Sequence, residues 1–224
     1  MEDTNIAKII FDWSEFWSTL IPLFVLPFRR KQPGYLKPVI VYLCIAAVMY
    51  LVIDLLVDHK YLFPARLQNN PPLYNLHSLV RFICFTVFFS RLQQPHYNTL
   101  RKLLPLLSLA FIIINFGFIE NFFHDQLINS KLLTVEAFLL LVNCMLYYLS
   151  QLKEEVEDLS KRKHFWVTTG LAFYVVINFF VFLFYRQAAD EGGPIADKLW
   201  NIHNVAQIIF CLLIAKAFYV SSDN

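Results

Sequence analysis

Charged residues are scarce in this chain, and glycine and cysteine are scarcer still. Only 16% of the 224 residues are charged and 58% are hydrophobic, whereas a soluble domain is about 45–50% apolar. The five glycines form no phosphate-binding loop, and the motifs G-x-S-x-G and H-E-x-x-H are absent. The common nucleotide-binding and hydrolase signatures are therefore excluded, and little of the chain remains for a soluble domain.

The cysteines and the charge balance exclude further classes. The four cysteines each lie inside a hydrophobic block and no two have metal-ligand spacing: Cys44, Cys84, Cys144 and Cys211. We expect buried packing residues, with no disulfide framework, no metal site and no cofactor. The net charge is +2 and no basic block is present, so no nucleic-acid partner is expected.

Long hydrophobic blocks dominate the sequence. Seven are recognised, at 10–28, 39–57, 73–91, 103–123, 132–151, 165–185 and 197–219. Each is close to the ~20 residues that a helix needs to cross a bilayer. We predict an all-α, polytopic membrane protein, with residues 1–224 forming a single seven-transmembrane-helix domain. Because block three contains His77 and Arg81, six helices with a re-entrant third segment remain the alternative.

The lysines and arginines of the connectors predict the orientation. Eleven lie on one side: Arg29, Arg30, Lys31, Lys37, Arg91, Arg101, Lys102, Lys153, Lys161, Arg162 and Lys163. Six lie on the other: Lys8, Lys60, Arg66, Lys131, Arg186 and Lys198. The positive-inside rule places the N-terminus outside and the C-terminus in the cytoplasm. The start of the chain lacks the features of a cleaved signal peptide, so block one should be retained.

Polar residues are concentrated in the predicted outer half of the helices. In the last block Trp200, His203, Asn204, Gln207 and Cys211 share one helical stripe. Asp12, Glu15, Thr19 and Asp54 also lie near outer helix ends. Intramembrane polar groups are costly unless they face protein, ligand or water, so we predict a polar cavity open to the outside and closed inside by apolar packing. The predicted ligand-binding residues are Tyr74, His77, Arg81, Asn115, Glu120, Glu136, Tyr174, Asn178, Trp200, His203, Asn204 and Gln207.

Arg81 requires a carboxylate at its depth, because an unpaired guanidinium in hydrocarbon costs at least ~2.5–3.5 kcal/mol. We expect Glu136 to be this partner, with Glu120 as the other candidate. The pair could be purely structural or could also bind a charged ligand. His77 and His203 are interpreted as hydrogen-bonded cavity residues, since no helix has metal-binding His or Glu spacing.

The connector Gln151–His164 contains four acids followed by bases and has no Pro or Gly. It predicts an extension of helix five into the cytoplasm as a solvated helix. The alternative is a docking surface for a cytoplasmic signalling partner.

The predicted layout resembles that of microbial rhodopsins and G-protein-coupled receptors. Retinal binding is excluded, because Lys216 lies too close to the cytoplasmic end and block three has no counter-ion acid. The whole chain is similar to small seven-helix inner-membrane proteins of Bacteroidota-like bacteria, through LYNLHSLVRF, VEAFLLL, the FW opening block six and N-x-H-N in block seven. That resemblance implies a multi-pass protein of the bacterial inner membrane and carries no activity.

The one-sided cavity and the charged connector favour a receptor or sensor. It would bind a small polar or charged ligand from outside and signal through its cytoplasmic loops, and enzymatic activity is the less favoured interpretation. A small-solute transporter is the first alternative. The others are a membrane enzyme acting on lipids or isoprenoids, with Glu136, Glu120 or His203 as acid–base groups, and a membrane subunit or effector of a larger assembly.

Overall fold

The computed structural model describes residues 6–28, 31–59, 61, 71–92, 96–115, 128–154, 158–191 and 194–220. These residues form helices and connecting turns, with no β-strand among them. The α-helices are α1 (Ile6–Asp12), α2 (Ser14–Val25), α3 (Lys37–Asp58), α4 (Pro71–Arg91), α5 (Asn98–Ile114), α6 (Ser130–Lys153), α7 (Lys163–Asp190) and α8 (Pro194–Tyr219). Short 3-10 turns occupy Leu26–Phe28, Gly34–Leu36 and Leu159–Lys161. The predicted all-α class is confirmed.

Five of these helices are long and apolar enough to cross a membrane: α3 with the turn before it, α4, α6, α7 and α8. Two shorter apolar helices, Ser14–Phe28 and Leu103–Ile114, lie within predicted blocks one and four. The rest of block four, 116–123, is outside the described residues. α4 is a single uninterrupted helix about 31 Å long, which does not fit a re-entrant third segment. Five of the seven predicted blocks therefore contain a helix long enough to cross a membrane, and blocks one and four contain shorter apolar helices.

Block one differs from the single helix predicted at 10–28. Helix α1 ends at Asp12, and Trp13 (φ −83°, ψ 11°) separates it from α2. The indole nitrogen of Trp17 donates to the carbonyl oxygen of Ile10 at 2.8 Å, so a side chain satisfies a carbonyl at the end of α1. The interruption places Ser14 and Glu15 in the buried first turn of a new helix.

Six helices form a closed ring in the order α2, α3, α4, α6, α7 and α8, with α8 returning to α2. Helix α5 lies outside this ring and packs mainly on α6. We call the end at which α2, α4, α6 and α8 begin the cavity end, and the opposite end the far end. Helices α3 and α7 end at the cavity end, so every helix of the ring runs between the same two ends.

Gly170 permits a very short approach of α7 to α8. A Cβ atom added at Gly170 would lie 3.0 Å from Leu213 Cβ and 3.3 Å from the carbonyl oxygen of Phe210. A larger side chain at this position would push the helices apart. The contact fixes α8, which bears the polar stripe, against α7.

Apolar and aromatic side chains close the far half of the ring. Tyr42 packs on Phe85 at a ring-centroid distance of 5.2 Å, and Phe85 packs on Phe210 at 5.7 Å. At the far end the buried Lys163 donates to Gln32 Oε1 at 2.8 Å and to the carbonyl oxygen of Phe218 at 3.4 Å. A lysine that binds a carbonyl in the last turn of α8 stabilises that terminus.

The connector after α6 is not the helical extension that was predicted. Helix α6 ends at Lys153, residues 155–157 lie outside the described part of the chain, and Leu159–Lys161 is a 3-10 turn. Asp158 caps this turn by accepting the backbone N–H of Ser160 at 3.1 Å and its hydroxyl at 2.6 Å. These hydrogen bonds lower the pKa of Asp158. Such local side-chain bonds compete with helix continuation.

Candidate ligand cavity and buried polar network

A cavity of about 650 Å³ lies at the cavity end of the ring. Its wall combines the start of α2, the end of α3, the starts of α4 and α8, and the end of α7. The volume is within the range of ~300–1,000 Å³ typical of small-molecule sites. The polar half of the helices therefore surrounds a space large enough for a ligand.

Glu15 lines the cavity and makes two hydrogen bonds. Its side chain is 2% exposed. Tyr74 donates its hydroxyl to Glu15 Oε2 at 2.9 Å, and His203 Nε2 lies 2.9 Å from Glu15 Oε1. One carboxylate therefore joins α2, α4 and α8 beneath the cavity.

His203 extends this contact to α7. Its Nδ1 lies 2.5 Å from Asn178 Oδ1, while the Asn178 amide donates to the carbonyl oxygen of Tyr174 at 2.8 Å. Both ring nitrogens of His203 thus face acceptor oxygens, one of them on Glu15. The arrangement is satisfied by an imidazolium with a carboxylate, or by a neutral ring with a protonated Glu15. In both cases the pair is neutral overall.

A second polar centre surrounds Arg81, which is 3% exposed. Arg81 Nη1 donates to the Tyr174 hydroxyl at 2.8 Å, and Nη2 donates to Ser78 Oγ at 3.4 Å. Ser78 in turn donates to Glu136 Oε2. Arg81 and the predicted partner Glu136 are thus joined through Ser78, and the described residues contain no direct ion pair between them. Tyr174 connects the two centres, because its ring also contacts His203 at 5.7 Å.

The Arg81 centre has buried polar atoms without hydrogen-bond partners. They are His77 Nε2, Arg81 Nε and Glu136 Oε1. The His77 ring lies between the rings of Tyr42 and Tyr50, with centroid distances of 5.7 and 4.5 Å. Because buried polar atoms are nearly always hydrogen-bonded, this centre has unused capacity to bind a polar group or to change partners.

A third group of polar side chains continues along α2 and α8. Gln207 Nε2 donates to Thr19 Oγ1 at 3.4 Å and to Cys211 Sγ at 3.6 Å. Ser18 also donates to Cys211 Sγ at 3.7 Å. The stripe predicted on the last helix consequently faces the interior, and its partners on α2 follow the same spacing.

The twelve predicted site residues fall into three groups. Tyr74, Trp200 and Asn204 line the cavity. The buried network below it contains Arg81, Glu136, Tyr174, Asn178, His203 and Gln207, whereas the buried His77 makes ring contacts with Tyr42 and Tyr50. Asn115 is buried on α5 and neither of its amide atoms has a partner, so it does not join the network. Glu120 lies outside the described residues.

Three important residues were absent from the predicted ligand set: Glu15, Asp54 and Ser78. Glu15 and Asp54 were placed near outer helix ends, but only the ring closure of α8 on α2 brings Glu15 to His203. Ser78 lies one turn before Arg81, and this i, i+3 spacing is a signal that the sequence does contain. Within the described residues no group of three or more His, Cys, Asp or Glu side chains could hold a metal ion.

Two further cavities are separate from this network. A groove of about 770 Å³ on the side of the bundle is lined by residues of α5, α6 and α7, among them Phe111, Thr134 and Phe182. A smaller cavity of about 340 Å³ at the far end includes Arg91, Arg162 and His164.

Comparison with protein-family models, with curated proteins and with solved structures finds no match for this chain.

Proposed function

We propose that this protein is an integral-membrane receptor or sensor that binds a small ligand in the cavity and signals at the far end. One observation carries the proposal: Glu15 and Tyr74 line the cavity and also begin the hydrogen-bond network that crosses the ring. A ligand there would touch the same side chains that hold α2, α4, α7 and α8 together.

In the proposed topology seven helices cross the membrane, with the N-terminus and the cavity end outside and the C-terminus in the cytoplasm. The alternating helix directions and the eleven connector cations predicted on the far side support it. The bacterial inner membrane, suggested by the sequence resemblance, is the proposed location. A single cysteine at Ile195 should react with an impermeant maleimide on intact cells, whereas one at Lys161 should react only after lysis.

The signal would arise from differential binding to two arrangements of the network. A ligand shifts an equilibrium only by the difference in its affinity for the two states. If it displaced Tyr74 or His203 from Glu15, the His203–Asn178 contact between α8 and α7 and the Arg81–Tyr174 bond between α4 and α7 would be free to rearrange. The aromatic layer of Tyr42, Phe85 and Phe210 would transmit this as helix displacement. The connector 151–164 is the proposed docking surface of a cytoplasmic partner.

The test has two stages in lipid nanodiscs. A thermal-shift panel of amines, carboxylates, amino acids and sugars identifies compounds that stabilise the protein. Spin labels at Phe28 and Leu152, both strongly exposed near the far end, then report the distance between α2 and α6 with and without the compound. The native cysteines are replaced beforehand.

We expect the ligand to change this distance, and His203→Leu to abolish the change. The matched control His59→Leu lies outside the network and should leave it intact. A compound that binds without altering any far-end distance would contradict signalling across the bundle.

A transporter is the second candidate, favoured by the polar side chains that continue beyond His203 through Gln207, Thr19 and Cys211. In that case the aromatic layer would be a gate. Uptake of the bound compound into proteoliposomes, reduced by Arg81→Met, would replace the receptor proposal with this one.

A further inference from the structure

The charge of the cavity narrows the class of ligand. Five carboxylates line it, from Asp12, Glu15, Asp54, Asp58 and Asp197, against a single lysine, Lys8. The Glu15–His203 pair is neutral as a unit, and Asp58 already accepts the indole N–H of Trp13 at 3.1 Å. A hydrogen bond does not cancel the charge of Asp58, so Asp12, Asp58 and Asp197 together outnumber Lys8 and leave the cavity negative, which attracts cations and repels anions.

Two residues of the cavity wall carry buried acceptor atoms that lack a donor. Asp54 is 8% exposed and Asn204 is 2% exposed, and both line the cavity. Asp54 Oδ2 and Asn204 Oδ1 accept no hydrogen bond within the protein. Buried acceptors of this kind are satisfied by a ligand with N–H or O–H donors.

Aromatic rings form much of the remaining wall. The Trp200 ring contacts Tyr74 at 5.0 Å and Tyr185 at 5.5 Å, and all three line the cavity together with Trp13. Aromatic faces attract organic cations and also bury apolar groups. A metal ion fits less well, since the described acids and histidines form no metal-holding group.

We propose that the cavity recognises a small organic ammonium. The N–H groups of this ligand donate to Asp54 and Asn204, and its apolar group contacts Trp200 and Tyr74. This rests on the proposed function and names the ligand class of the same cavity. An alkylammonium supplies up to three donors and one positive charge, which matches the free acceptors and the net charge of the wall.

The experiment uses three probes of similar size and different charge. They are n-butylammonium, 1-butanol and n-butyrate, titrated against the full chain in nanodiscs while tryptophan fluorescence is recorded, with empty nanodiscs as the blank. We expect saturable binding of n-butylammonium, binding of 1-butanol at least about 10-fold weaker because it lacks the charge-assisted hydrogen bonds, and no binding of butyrate.

Variants locate the site. Asp54→Asn replaces the carboxylate that would accept the ammonium N–H groups by an amide of nearly equal volume, and should weaken n-butylammonium binding about 10- to 100-fold. Asp158→Asn, an exposed acid near the far end, is the matched control and should leave it unchanged. Should Asp54→Asn impair folding, Asn204→Asp provides a second variant, which adds a carboxylate on the α8 side of the cavity and should tighten binding.

Each result has a distinct meaning. Equal binding to the Asp54→Asn protein would overturn the proposed site. Saturable binding of butyrate or 1-butanol, or of a sugar from the panel, without n-butylammonium would overturn the ammonium class and leave the receptor proposal standing. A far-end distance change produced by n-butylammonium supports both proposals, and no binding of any compound overturns both.

Discussion

Replacing Glu15 with leucine tests the buried network most directly. The substitution removes the only side-chain acceptor that the structure gives the Tyr74 hydroxyl and the Nε2 atom of His203. Hydrogen bonds to a charged group contribute about 1.5–3 kcal/mol each, and removing one partner of a buried pair costs about 3–5 kcal/mol. We expect the free energy of unfolding to fall by about 3–5 kcal/mol, equivalent to two to three and a half powers of ten in the unfolding constant.

A double-mutant cycle distinguishes this contact from ordinary packing. Glu15→Leu with His203→Leu removes both polar partners, so the double variant should lose about 1–3 kcal/mol less than the sum of the single variants. Reversible unfolding in mixed micelles, followed by tryptophan fluorescence, gives the four free energies. Glu154→Leu, an acid at the far end, serves as the matched control and should change stability by under about 0.5 kcal/mol.

Additive costs for Glu15 and His203, within about 0.5 kcal/mol, would refute the reasoning. Equal changes in the free energy of unfolding for the Glu15→Leu variant and the Glu154→Leu control would also refute it. Either outcome would mean that the two side chains do not form a coupled pair beneath the cavity.

Three further perturbations test other parts of the fold. Gly170→Val should lower stability by about 1–3 kcal/mol through overpacking, whereas Gly34→Ala, with open space at its Cβ, should leave unfolding in detergent nearly unchanged. Arg81→Met should be more destabilising than the double variant Arg81→Met with Glu136→Gln, because the single variant leaves a buried carboxylate without its cation; a larger loss in the double variant would contradict the Ser78-bridged arrangement. Lys163→Met removes the donor at the last turn of α8, and faster hydrogen–deuterium exchange confined to the C-terminal turn of α8 is expected; unchanged exchange there would contradict the capping role.

The helices could be predicted from the amino-acid sequence alone. Apolar blocks of about twenty residues have to form helices in a membrane, because every backbone polar group needs an internal partner. That requirement is local, so helix positions and the buried face of α8 could be predicted from periodicity. The break at Trp13 and the 3-10 turn after α6 were not predicted, since each depends on a particular side-chain hydrogen bond from Trp17 or Asp158.

Which polar groups contact one another depends on how the helices pack. Asn178 and His203 lie 25 residues apart, whereas Glu15 and His203 lie 188 apart, and they approach because α8 closes the ring against α2. Depth in the membrane suggested Glu136 as the direct partner of Arg81, but the ring geometry places Ser78 between them. Helical periodicity predicts which face of a helix is buried. The order of the helices around the ring determines what that face contacts, and this order cannot be predicted from the residue pattern of any single segment.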